Sequence, residues 1–304
     1  MRAAGSALAA VAFAGLAALP VAAQQDPVRV TRDDQTVGRT TGEAWAMRYL
    51  AGTTLLTSFG ELPRLEPGRW SVMGDLGHIP RLSKEQQTIG LGGVKTEDLN
   101  KSPVFGRLRG AVGLPGGWVA ELAWTPPLEI DGSEARQFFA AAIGTRIGVS
   151  PDFTISARLL GQAGEVKGDI TCPARIAGNP DFTVNPYGCR EPSKDVFGAN
   201  YFGVDATAAW RRGQWSWHAS AGLVKTHLTA QVDAQLDGVN ERTKLTSRDA
   251  LGWLAAGGRY AFDRRWSASL ELLYVPLEVV RFPSTAKERD DLASVRAQLR
   301  YDFE

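Results

Sequence analysis

The sequence predicts an all-β chain, an up-and-down antiparallel meander of about ten strands preceded by a short segment with helical character. Three observations carry this. From about Trp70 onward apolar residues take every second position, the period of a strand with two unlike faces. Short and long connections alternate along the chain. The 304 residues include 33 Gly and 16 Pro, a proportion of turn-formers that suits many short β connections.

The first 23 residues read as a secretory signal peptide: Met1-Arg2 as a basic start, Ala7 to Leu19 as an apolar core, and Val21-Ala22-Ala23 as a small-residue cleavage site. No cysteine follows the leader, which excludes a lipoprotein anchor. Beyond it no run of 18 apolar residues exists, which excludes membrane helices. Removing Arg2 takes Lys+Arg from 34 to 33 against 33 Asp+Glu, a formal net charge of zero, which is unlike a nucleic-acid binder. Residues 24–68 do not alternate cleanly. A helix from Gly42 to about Leu56, with Thr40 or Thr41 near its start, would place Trp45, Tyr49 and Leu50 in apolar surroundings. This segment is expected either as a periplasmic extension or as a plug in the lumen.

Ten strands are predicted near 69–79, 103–114, 117–130, 135–149, 152–166, 196–212, 214–231, 249–263, 265–280 and 291–303. The last is the clearest: Val295, Ala297, Leu299, Tyr301 and Phe303 oppose Ser294, Arg296, Gln298, Arg300 and Asp302. Tight turns are expected at Pro115-Gly116-Gly117, Ser150-Pro151-Asp152, Arg212-Gly213-Gln214 and Asp263-Arg264-Arg265, and mostly longer loops at 80–102, 131–134, 167–195, 232–248 and 281–290. In a meander all tight turns then share one end, and ten strands put both chain ends there. Glycines near Gly90 to Gly93 leave room for a further hairpin and a count of twelve.

Even strand number, short turns against long loops and strands of ten or so residues resemble bacterial outer-membrane β-barrels over residues 69–303. The resemblance implies a transmembrane barrel whose apolar rows face lipid. Its interface aromatics would be Trp118, Trp124, Trp210, Trp215, Trp266, Tyr274, Tyr301 and Phe303. The C-terminal strand is similar to the signal such proteins present to the barrel-assembly machinery, except that Glu304 follows the final aromatic. The rival, a soluble exported barrel or sandwich, fits the long strands and the arginine-rich polar rows less well. Outer-membrane lipid, the assembly machinery and small solutes are the partners implied, with no nucleic acid and no cofactor.

With the apolar rows in lipid, the lumen receives Arg107, Arg109, Arg146, Arg158, Arg259, Arg296 and Arg300, together with Asp75, Glu121, Asp205, Glu271 and His218. Two readings follow. These charges satisfy one another in a mostly closed lumen, or they line a narrow passage for small polar solutes. Cys172 and Cys189, the only two cysteines of an exported chain, are expected to form a disulfide in the longest loop, where a surface-binding role would sit.

No enzyme is expected. His218-Ala219-Ser220 resembles the His-x-Ser pair of lipid A deacylases, but the asparagine-rich context of that family is absent. Asp290-Asp291 and His227 lack the surroundings of an omptin-like protease. His78, His218 and His227 show no metal-ligand spacing.

Overall fold

The computed structural model describes residues 29–31 and 34–303; the leader lies outside the described residues. Ten long antiparallel strands form the wall: β1 (Trp70–His78), β2 (Val104–Gly113), β3 (Trp118–Thr125), β4 (Ser133–Val149), β5 (Phe153–Gly168), β6 (Asp195–Arg212), β7 (Trp215–Gln231), β8 (Lys244–Ala261), β9 (Trp266–Val275) and β10 (Leu292–Asp302). Each pairs with its neighbours in sequence. The ring closes where β10 returns to β1, with Arg296 opposite Gly77 and Asp302 opposite Ser71. Closure at this seam removes the two outer edges whose backbone groups an open sheet would leave unpaired.

Several boundaries differ from the sequence expectation, each for a local reason. β3 stops at Thr125 rather than near 130 because Pro126 and Pro127 follow, and β9 stops at Val275 rather than near 280 because Pro276 does. Proline has no N–H to give the ladder. β8 begins at Lys244, earlier than 249, since Thr246, Ser247 and Arg248 pair with β7 without adding to the apolar row. The 131–134 connection is a two-residue turn rather than a loop: Asp131 and Gly132 have φ of 47° and 72°, the left-handed values such a turn requires. The Gly90 region adds no wall strand. Thr88 pairs with Thr96 in a small separate hairpin, so the barrel keeps ten strands.

Inside the wall lies the segment before β1. Its helix, α1 (Gly42–Thr53), begins at Thr41, whose hydroxyl accepts from the Ala44 N–H at 3.3 Å, so the cap falls where the sequence placed it. Trp45, Ala46, Met47, Tyr49 and Ala51 are all buried. α1 sits at the long-loop end. The Trp45 indole donates to the Asp290 carbonyl at 2.8 Å, Arg48 donates to the carbonyl of Glu278 at 2.9 Å, and Tyr49 donates to that of Pro80 at 3.1 Å. From Thr54 the chain runs without regular structure to the tight-turn end, where Gly68 and Arg69 exchange backbone bonds with Gly113.

The ten strands begin and end at the tight-turn end as expected, with Phe303 hydrogen-bonded to the Trp70 carbonyl, but the described residues that precede them start at the other end. Arg29–Thr31 pair with Val239–Glu241, and Asp34–Thr36 pair in parallel with β8 from Lys244 to Thr246, all at the long-loop end. Residues 42–68 traverse the lumen and carry the chain from one end to the other.

Candidate functional site: the occupied lumen and the cavities beside the helix

The charged residues assigned to the interior all face it. At mid-height four arginines from three strands close on the carbonyls at and just beyond the end of α1. Arg296 donates to Gly52 and Thr53 at 2.9 Å each and to Leu55 at 2.7 Å. Arg107 reaches the Thr54 carbonyl at 2.9 Å, Arg158 that of Leu56 at 2.9 Å, and Arg109 that of Thr57 at 3.0 Å. Arg146 holds the Pro63 carbonyl lower down at 2.9 Å. A guanidinium presents several N–H donors in a fixed fork, so one side chain can serve carbonyls and carboxylates together.

The acids complete this network. Glu121 lies between Arg109 and Arg158, 3.1 Å from each. Asp205 takes two bonds from Arg158, at 2.5 and 3.0 Å, and Asp75 pairs with Arg109 and accepts from Gln298 at 2.8 Å. Buried charges are tolerable where they are paired and hydrogen-bonded, and each of these acids has a guanidinium partner. Toward the tight-turn end Arg300 pairs with Asp302 at 2.6 Å, and Arg259 lies near Arg300, Asp302 and Glu61. His218 and Glu271 are fully buried, 3.2 Å apart; Ser220 is buried and its hydroxyl has no partner among the described residues.

Sequence reasoning collected charges and so missed neutral members of the network. Gln162 accepts from Arg107 at 2.7 Å and donates to the Ala199 carbonyl at 3.0 Å, and the Tyr201 hydroxyl accepts from the Leu56 N–H at 2.9 Å. Alternation did place both on the inner face. A second signal was the run of small inner residues. Gly144 is one: a Cβ there would lie 2.5 Å from Arg158 Cγ and 3.1 Å from Leu62 of the interior segment. Small inner residues make room for the chain that fills the lumen.

The outer face is the inverse. Leu108, Leu122, Leu159 and Leu270 are each more than half exposed, as are Trp210 and Trp217, while the polar residues beside them in sequence are buried. Trp118, Trp215 and Trp266 are exposed beside the tight turns, with Trp70 stacked on Phe303 at 3.6 Å and Tyr301 packed edge-on against Phe303. Trp124 and Tyr274 stand nearer the long loops, where the Tyr274 hydroxyl donates to Asp291 at 2.6 Å. A closed wall with polar residues inside and apolar rows outside has lipid as its matching solvent. The chain is a β-barrel of the bacterial outer-membrane type.

No family model and no curated protein matches the barrel. Among solved structures it is similar to the attachment invasion locus protein Ail of Yersinia pestis (11% identity, 78% of this chain and 100% of that one, TM-score 0.31). It is also similar to the translocator domain of the autotransporter NalP of Neisseria meningitidis (9%, 80% and 90%, TM-score 0.41) and to the outer membrane protease OmpT of Escherichia coli (11%, 81% and 100%, TM-score 0.35). Likeness at this level adds nothing to what the barrel's own faces show.

Above the arginine layer the interior is less full. A cavity of about 380 Å³ lies between α1, the loop that carries the disulfide and the long-loop ends of β6 and β7. Met47, Leu50 and Phe197 form its apolar floor, with Lys95, Glu97 and Glu241 at its sides. Cys172 and Cys189 are bonded, their Cα atoms 5.7 Å apart, and pack with Ala234. Lys95 holds Glu97 at 2.5 Å and the Thr171 carbonyl at 2.7 Å. Burial raises the Glu97 carboxyl to about 7, against the pull of Lys95. At the rim, Arg248 donates to His227 at 3.2 Å, while Asp290 pairs with Arg281 and Asp291 with Arg289. Among the described residues no group of three metal-ligating side chains converges.

Proposed function

We propose that this barrel works as a binding protein at its long-loop end, with a lumen closed to free passage. The observation that carries this reading is the interior segment. It is tied to β8 above and to β2 below, and its carbonyls are held by four wall arginines between the two ties. In barrels of this type the short turns are periplasmic and the longer loops extracellular. The cavity beneath the disulfide loop therefore opens toward the cell exterior, and a small molecule with an apolar body fits its floor.

Two measurements test this. A cysteine at Asp237, which is exposed, is expected to react with a membrane-impermeant maleimide on intact cells; labelling only after lysis overturns the sidedness. Ala230→Trp fills the cavity. Small molecules that co-purify with the wild-type protein and are lost from this variant support the reading, and identical profiles contradict it.

Gated passage of small polar solutes is the second reading. It is supported by the way residues 54–64 are held, through wall side chains rather than by backbone pairing with a strand. Side-chain contacts can be exchanged singly, so a stimulus that loosens them would open the lumen.

A further inference from the structure

The wall between β2 and β4 is incomplete at the long-loop end. Pairing of β2 with β3 stops at Leu108 and Trp124, and pairing of β3 with β4 stops at Thr125 and Phe138, because Pro126-Pro127 ends β3. Both outer neighbours continue. β2 stays paired with β1 up to Val104, and β4 with β5 up to Glu134. Residues 104–107 and 135–137 therefore border a gap crossed only by the unpaired residues 126–128, before Glu129 and Ile130 pair again with Glu134 and Ser133.

The gap is shaped rather than frayed. Gln137 has φ of 46°, and the β4–β5 register slips between Ala163 and Glu165. At Gly164 a Cβ would stand 2.5 Å from the Phe138 backbone, so only glycine permits the kink. The bulge breaks the alternation, and Ala135 and Phe138 both line the same space. That space is a cavity of about 260 Å³. Leu76 and Leu128, 54% and 66% exposed, form its outer side; Leu99, Phe138 and Phe197, all buried, form its inner side.

We propose that this slot is a binding site for a small neutral amphiphile, an aliphatic alcohol or a phenol, which enters from the bilayer. Leu76 belongs to the lipid-facing row of β1, so the entrance is continuous with hydrocarbon. Thr125, 7% exposed, lines the slot, and its hydroxyl has no partner among the described residues. A buried hydroxyl left unpaired is costly, and a ligand with one hydrogen-bonding group would satisfy it. Lys101 lines the slot but is already held by Asp98 at 2.8 Å and Asp169 at 2.6 Å, so a carboxylate would find no uncompensated positive charge among the described lining residues. The site does not depend on whether the lumen is closed.

The test uses full-length protein in lipid nanodiscs and measures binding of 1-octanol, octane and octanoate, with native mass spectrometry reporting retained lipid. Saturable octanol binding is expected, with octanoate at least about tenfold weaker. Thr125→Val should weaken octanol by about tenfold and leave octane unchanged. Ala135→Trp should abolish both. Should that variant lose the heat-dependent gel shift of a folded barrel, Val166→Trp, which fills the same slot, takes its place. Octanol binding that survives filling, equal binding of octanoate, or a phospholipid that octanol does not displace would each overturn the proposal.

Discussion

Arg158 of β5 donates to the carbonyl of Leu56 at 2.9 Å, joining the wall to the chain inside it across 102 residues of sequence. The same guanidinium holds Asp205 and Glu121. Arg158→Met would leave Asp205 buried and without its cation, which costs about 3–5 kcal/mol when one partner of a buried pair is removed. The temperature at which the folded band disappears on a semi-native gel is expected to fall. Arg158→Met combined with Asp205→Leu should recover part of the loss, because Glu121 keeps Arg109. A single variant as heat-resistant as wild type would show that the network carries little.

The disulfide and the barrel are expected to behave as separate parts. Cys172 and Cys189 are 17 residues apart, and closing a loop of this length stabilises it by about 3 kcal/mol in the chain-entropy model. Replacing both with serine should speed proteolysis within residues 169–194 while leaving the heat-dependent gel shift in place. Loss of the shift would mean that the loop supports the wall.

Glu97 sets a pH dependence with a definite sign. Its carboxyl is raised by burial to about 7, so between the unfolded value near 4.5 and about 7 the folded loop holds a proton that the opened loop releases. Stability of this region is therefore full below about 4.5 and lost as pH rises through 7. Lys95, Asp195 and Glu241 are the charged groups that act on it, and the two acids add to the strain of ionisation. Hydrogen exchange at residues 95–99 should quicken from pH 6 to pH 8 beyond the intrinsic rate, and Glu97→Gln should remove the change. Equal protection at both pH values would contradict the assignment.

Much of the wall was legible because lipid outside and polar contacts inside impose a strict period of two, visible wherever both faces are committed. Val295 to Phe303 against Ser294 to Asp302 is the clearest case. The signal faded where one face was uncommitted, as at residues 244–248 of β8, and where proline overrode it, as after Thr125 and Val275. The inner charges were also legible, but not their partners. Arg296 meets Leu55, and Arg107 meets Thr54, through backbone carbonyls that every residue possesses, so no side-chain pattern announces them. The path of residues 42–68 was left open in the sequence between a periplasmic extension and a plug in the lumen. Its trace in the sequence is indirect, in small inner residues such as Gly144 and Ala142 that leave the space.

The closed lumen is tested most directly by single-channel recording of the purified full-length protein in a planar bilayer. The wild-type barrel is expected to give no discrete conductance steps at neutral pH, and the variant lacking residues 37–64, the chain that the four arginines hold, is expected to give ohmic steps. Steady stepwise conductance from the wild-type protein, equal in size to that of the deletion variant, would contradict it.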